Sequence, residues 1–167
     1  MYPDPASVSR VASIGAGPIG GGWTAHFLAR GYDVAAYIHG EAEMSAFMSI
    51  VNTAWASLTD LGLSPGASLD RLTVTTDLET ALDGAEFVQE SAPERLEIKQ
   101  ALYARLGRIV PPEVVIGSST SGLMMTDIQA ECATPERCVI AHPFNPPYLL
   151  PLVEIVGGNR TDPAAVD

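Results

Sequence analysis

Val8-Ser9-Arg10-Val11-Ala12-Ser13-Ile14-Gly15-Ala16-Gly17-Pro18-Ile19-Gly20 decides the fold of this chain. Val8–Ile14 is a short, mostly apolar run, the pattern of a strand buried on both faces of a parallel sheet. Gly15 to Gly20 then reads G-x-G-x-x-G, and a helix is expected from about Pro18 to Arg30, closed by Gly31 as a C-cap. The glycine motif alone is a weak signal. Placed directly after a strand and at the opening of a helix, it is a dinucleotide-binding fingerprint. Gly15 allows the tight turn, Gly17 lets the backbone approach a pyrophosphate, and Gly20 lets the helix pack closely on the strand. Pro18 and Ile19 belong to the same phosphate-binding turn, where free N–H groups and the positive end of the helix dipole hold an anion. Gly21 and Gly22 weaken the helix start, and the motif does not explain them.

Outward from this stretch, strand and helix patterns alternate. Val34–Ile38 reads as a second strand, and residues 41–61 as a helix whose core face carries Met44, Phe47, Met48, Val51, Trp55 and Leu58. Further strands are expected at Leu72–Thr75, Phe87–Glu90, Val114–Ser118, Cys138–His142 and Leu152–Val156. Between them lie a short helix from near Asp77, a helix at Arg95–Ile109 and a short helix around Thr126–Cys132. The longer of these should turn Leu96, Ile98, Leu102, Leu106 and Ile109 inward, and Pro111-Pro112 ends it. The proline-rich loop 143–151 joins the last two strands. Such alternation predicts an α/β fold, a doubly wound, mostly parallel sheet of the Rossmann type, with residues 1–167 forming one dinucleotide-binding domain.

Composition excludes several classes of function. Nine Lys and Arg against 20 Asp and Glu give a net charge of −11, a surface that repels nucleic acid and anionic membranes and draws in cations. The apolar run Val11–Ile19 is broken by Gly15, Gly17 and Pro18 and is too short to span a bilayer. MYPDPASVSR lacks a signal-peptide pattern, so a cytoplasmic location is expected. Cys132 and Cys138 have no metal-ligand spacing and read as two buried thiols of a reducing compartment, with no metal site. His26 belongs to no motif and is expected to be exposed.

The fingerprint ordinarily includes an acidic residue at the end of the second strand, which accepts hydrogen bonds from the ribose of NAD. Here the strand ends Tyr37-Ile38-His39-Gly40, and Ile38 holds that position. No Lys or Arg lies between Arg30 and Arg71 to hold a 2′-phosphate, so the reading is NAD with weakened ribose recognition.

Four more segments carry a family resemblance: Val88-Gln89-Glu90-Ser91-Ala92-Pro93-Glu94, Ser118-Ser119-Thr120-Ser121-Gly122, His142-Pro143-Phe144-Asn145-Pro146, and Pro151-Leu152-Val153-Glu154. In order and spacing they resemble the N-terminal domain of the 3-hydroxyacyl-CoA dehydrogenase family, over practically the whole chain. The stretch from His142 to Glu154 is more similar to the L-carnitine dehydrogenase branch than to the fatty-acid enzymes, and the lambda-crystallin/gulonate dehydrogenase branch is similar too. Without the resemblance, His142 would read as structural, Glu154 as a solvated edge residue and Ser118–Ser121 as an ordinary polar loop.

The resemblance implies that His142 is the general base that takes the substrate hydroxyl proton as hydride leaves for NAD, with Glu154 orienting it. It implies that Ser121 hydrogen-bonds the reacting oxygen, that Asn145 contacts nicotinamide or substrate, and that Glu90 and Lys99 line the nicotinamide side of the cleft. It also implies a mostly helical C-terminal domain, not contained in residues 1–167, that completes the substrate site and mediates dimerisation. The reaction expected is oxidation of a small 3-hydroxy acid, L-carnitine first, with a 3-hydroxyacyl-CoA or L-gulonate as alternatives. A catalytically silent dinucleotide-binding module or crystallin-like protein is a further alternative. Phe144 and Tyr148 are aromatic candidates for a quaternary ammonium.

Overall fold

The computed structural model describes residues 2 and 4–167. The described residues form a seven-stranded sheet of β1 (Arg10–Ile14), β2 (Asp33–Tyr37), β3 (Leu72–Thr75), β4 (Phe87–Glu90), β5 (Val115–Ser118), β6 (Cys138–Pro143) and β7 (Val153–Gly157). The order is β3-β2-β1-β4-β5-β6-β7, and every neighbouring pair is parallel except β6 and β7. Five helices connect them: α1 (Pro18–Ala29), α2 (Met44–Leu61), α3 (Leu78–Leu82), α4 (Leu96–Ile109) and α5 (Met125–Ile128). This is the doubly wound architecture expected from the alternation.

Strand alternation divides the core in two. Ala12 and Ile14 of β1 share one cluster with Val88 of β4, Ile116 of β5, Leu82 of α3, Leu106 of α4 and Ile128 of α5. Ala12 pairs with Ala35, so Val34 and Ala36 point to the opposite face, where they pack with Leu28 of α1 and Phe47 and Val51 of α2. Val11, Ala12, Ser13 and Ile14 are all buried, as a strand covered on both sides requires. β7 differs: it lies at the sheet edge, and Glu154 to Gly157 are exposed.

The chain lays β1, β2 and β3 in one direction, then returns to place β4 on the other side of β1. A crevice opens at the C-terminal ends of the strands where the order reverses. Gly15 N–H donates to the Tyr37 carbonyl at 3.0 Å and Ser91 N–H to the Ile14 carbonyl at 2.7 Å, which fixes the loops after β1 and β4 at this point.

Several local expectations are corrected. The first strand begins at Arg10, because the backbone N–H groups of Ser9 and Arg10 are held by the Glu86 carboxylate. Cys132 follows a 3-10 turn, since α5 ends at Ile128. α4 turns Lys99, Tyr103 and Leu106 inward, leaving Ile98 and Leu102 only partly buried. His26 is partly buried, packed edge-on against Trp23 and Phe27, with Nδ1 unpartnered. The surplus glycines now have a reason. A Cβ at Gly21 would stand 2.6 Å from Ile50 Cγ2, and one at Gly22 would stand 2.7 Å from Pro147 Cγ. They let α2 and the loop after β6 sit directly on α1.

Candidate active site

The Gly15–Gly20 turn lies at the crevice, as its motif requires. Gly15 has φ +119°, a left-handed conformation that favours glycine, and a Cβ there would lie 2.4 Å from the Ser91 carbonyl oxygen. A Cβ at Gly20 would lie 2.1 Å from the Gly15 carbonyl oxygen. Gly17 is different: a Cβ there meets nothing within 4 Å, so its surface faces open space. Gly17 is also the N-cap of α1 and supplies no capping side chain, while Pro18 follows as the first helical residue. The helix therefore presents uncapped N–H groups and its positive dipole end beside a bare backbone, which fits a pyrophosphate.

Beside this turn is a recess of about 220 Å³ lined by Ile19, Ser91, Ala92, Glu94, Lys99, Ser119 and Ser121. It brings together three of the expected residues: Ile19 from the first turn of α1, Lys99 from α4 and Ser121 from the loop after β5. Glu90 does not line it. Its side chain is fully buried and accepts from Lys99 Nζ, Ser118 Oγ and Ala92 N–H, each at 2.6 Å. Its expected place on the cleft wall is thereby corrected: Glu90 is the floor beneath it, and holds Lys99 and the loop after β4.

The carboxylate that reaches the recess is Glu94, which sequence reasoning quoted in a motif and gave no role. Glu94 accepts from Thr120 Oγ1 at 2.6 Å and from the N–H groups of Ser121 and Gly122 at 3.0 and 3.1 Å, and lies 3.7 Å from Lys99 Nζ. Burial pushes its carboxyl up, but these hydrogen bonds outweigh burial, and the net shift is below the usual carboxylate value. Glu94 thus fixes the backbone on which Ser121 is displayed. Behind the loop, Gln89 Nε2 donates to Ser119 Oγ at 2.8 Å, and Ser91 Oγ and Ser119 Oγ share a 2.9 Å hydrogen bond.

β6 and β7 pair His142 directly with Glu154. His142 Nδ1 and Glu154 Oε2 are 2.8 Å apart, with side-chain exposures of 26% and 59%. The antiparallel hairpin therefore accounts for the twelve-residue separation of the pair: opposite residues on neighbouring strands share a face. Phe144 packs against His142 with ring centroids 5.7 Å apart. Asn145 and Ser121 are exposed. Neither His142 nor Asn145 lines the recess with Ser121.

Ile38 corrects the ribose reading. Its side chain is fully buried in the α1–α2 core with Phe47 and Val51, so it presents no surface to a nucleotide. A groove of about 880 Å³ lies elsewhere, away from the crevice. It runs past Val11, Phe87 and Val115 near the starts of their strands, and contains none of the expected site residues. Among the described residues, no helix is long and apolar enough to cross a membrane, and no group of three or more His, Cys, Asp or Glu is placed to hold a metal ion.

Comparison with known proteins agrees with this geometry. The sequence model for the 3-hydroxyacyl-CoA dehydrogenase NAD-binding domain matches residues 10–167. The chain is 60% identical over 162 residues to L-carnitine dehydrogenase of Streptomyces coelicolor, covering 97% of this chain and 51% of that protein. It is 48% identical over 160 residues to L-carnitine dehydrogenase of Pseudomonas putida, covering 96% and 50%. The crystal structure of 3-hydroxybutyryl-CoA dehydrogenase from Escherichia coli K12 superposes with a TM-score of 0.86 at 34% identity, over 96% of this chain and 34% of that one. The chain spans about half the length of the curated relatives it matches. It belongs to the 3-hydroxyacyl-CoA dehydrogenase family, of which it is an NAD-binding domain.

Proposed function

We propose that this chain is the cofactor-binding half of an NAD-dependent dehydrogenase that oxidises the 3-hydroxyl of L-carnitine to give 3-dehydrocarnitine. The observation that carries the reading is the His142–Glu154 pair, held at 2.8 Å in a chain 60% identical to an L-carnitine dehydrogenase. With Nδ1–H donated to Glu154, the imidazole keeps its lone pair on Nε2, and Nε2 takes the proton of the substrate hydroxyl. Bound NAD supplies the hydride acceptor. Gly17 and the α1 N-terminus hold its pyrophosphate, and the recess between Ile19, Glu94 and Lys99 receives its nicotinamide end. Ser121 donates to the reacting oxygen, and Asn145 contacts nicotinamide or substrate.

Substrate chemistry follows from charge. A CoA ester carries phosphates, and a surface with net charge −11 opposes them. The quaternary ammonium of L-carnitine is attracted instead, and the Phe144 ring beside His142 offers it an aromatic face. The relatives' length supports a second domain in the whole enzyme. Exposed Phe144, Leu149, Leu150, Leu152 and Ile155 around the site supply the apolar surface on which it docks, closing the cleft and mediating dimerisation. The free thiols fit a cytoplasmic enzyme.

A protein carrying both domains, assayed with NAD and a panel of 3-hydroxy acids, is expected to turn over L-carnitine in preference to 3-hydroxybutyryl-CoA and L-gulonate. Equal or better turnover of the CoA ester overturns the substrate assignment. Residues 1–167 alone are expected to bind NADH, turn over little substrate and self-associate through the uncovered apolar surface.

A further inference from the structure

Cys132 and Cys138 face each other in the core with their Sγ atoms 3.7 Å apart, and both thiols are buried. Cys132 follows the 3-10 turn Gln129–Glu131 and Cys138 opens β6, so the two sulfurs close the short loop that carries Arg137. α4 makes room for them at Gly107, where a Cβ would stand 2.6 Å from Cys132 Sγ.

Arg137 is itself fully buried. Its guanidinium donates to the carbonyls of Leu106, Val110, Pro111 and Val114 and to the Thr134 hydroxyl. Among the described residues no carboxylate forms an ion pair with it. Buried without a carboxylate, the guanidinium is held by hydrogen bonds to neutral oxygens, and it ties the loop between the two cysteines to the end of α4. The hydrogen bond from Cys138 brings the Cys132 thiol down to about 6 against the opposing effect of burial, and Thr134 and Arg137 act in the same direction. The same hydrogen bond, together with burial, pushes the Cys138 thiol up.

We propose that Cys132 and Cys138 form a paired oxidation site, in which Cys132 is the attacking sulfur and Cys138 the resolving thiol, closed to a disulfide by a peroxide. In the first step the Cys132 thiolate attacks one peroxide oxygen; an S–O bond forms, the O–O bond breaks, and hydroxide leaves. Cys132 is then a sulfenic acid. In the second step the Cys138 sulfur attacks the Cys132 sulfur; the S–S bond forms, the S–O bond breaks, and the oxygen departs as water with the Cys138 proton. Two thiols lose two electrons and the peroxide gains them. Entry requires local opening of the two 3-10 turns that flank Cys132, Gln129–Glu131 and Pro135–Arg137, the irregular backbone around the pair. Closure cross-links the short loop that carries Arg137, at the start of the strand that ends in His142 and Pro143. The inference does not depend on the substrate of the enzyme.

Intact-mass spectrometry tests it. The folded protein is treated with hydrogen peroxide, quenched, unfolded in guanidinium with N-ethylmaleimide, and weighed. A monomer lighter by two hydrogens with no maleimide adduct is expected, and Cys132→Ser or Cys138→Ser should each abolish that species. The wild-type protein decides the matter even where a variant folds poorly. Two adducts after treatment, an oxygenated species that never resolves, or a disulfide-linked dimer overturns the proposal.

Discussion

Lys99→Met isolates the buried charge beneath the cleft. Lys99 and Glu90 are 1% and 0% exposed, and the ammonium donates to Glu90 Oε1 at 2.6 Å and to the Ala92 carbonyl at 3.1 Å. Methionine has nearly the same length and no charge, so the substitution leaves the Glu90 carboxylate in the core without its cation. Breaking a buried pair from one side costs about 3–5 kcal/mol. For a domain of this size each kcal/mol lowers Tm by about 2–4 °C, so the expected loss is about 6–20 °C. The double variant Glu90→Gln/Lys99→Met carries no stranded charge. The glutamine amide oxygen can still accept from Ala92 N–H while its nitrogen donates to Ser118 Oγ, so more than half the loss should return. Thermal unfolding followed by circular dichroism on the parent, both single variants and the double variant reads the full cycle. A Lys99→Met protein melting within about 2 °C of the parent, well short of the range above, refutes the reasoning. So does a double variant no more stable than Lys99→Met.

Four other substitutions probe the site. Ile38→Asp places a carboxylate in the α1–α2 core, so about 2–5 kcal/mol of stability should be lost with no gain in NAD affinity by calorimetry. Tighter NAD at an unchanged Tm would show that residue 38 faces the ribose. The lowered Glu94 carboxyl stabilises the fold at neutral pH. That contribution starts to fall near the ordinary value of 4.5 and is gone once pH drops through the lowered folded value. The Tm difference between parent and Glu94→Gln should therefore be constant at neutral pH and shrink on acidification, and a difference that persists in acid contradicts the assignment. In a two-domain protein, His142→Ala should lower turnover by about 10²–10⁴-fold and leave NADH affinity intact, with Glu154→Gln intermediate. Loss of NADH binding in His142→Ala would mean that the histidine is part of the cofactor site instead.

What the sequence disclosed, and what it did not, separates along physical lines. The strand–glycine–helix unit was legible because its pattern is local: a buried apolar strand, a turn with Gly15 at positive φ, and Gly20 packed against the Gly15 carbonyl. The His142–Glu154 pairing was legible only as a resemblance, since its cause is an antiparallel hairpin that joins residues twelve positions apart. Gly21 and Gly22 looked like defects because their reason is tertiary: the partners they admit, Ile50 and Pro147, lie far along the chain. α4 misled at one position: Leu96, Leu102, Leu106 and Ile109 pack on the core but Ile98 does not, and the inner face also buries Tyr103 and Lys99, the latter paired with Glu90. The same pair exchanged the two glutamates. Glu90, at a strand end, looked accessible and is consumed below the cleft, while Glu94 reaches the recess. Ile38 was read as standing at the ribose position, and its burial shows that it instead completes the α1–α2 core.

The central claim is that NAD binds with its pyrophosphate against the Gly17 backbone, and a fluorescence titration of NADH into the parent and Gly17→Val tests it most directly. A Cβ at Gly17 meets nothing within 4 Å, so valine fits the fold and should leave Tm unchanged while filling the space the pyrophosphate needs. The account predicts saturable NADH binding by the parent and loss of that binding in Gly17→Val at unchanged Tm. Equal NADH affinity in the two proteins would contradict it.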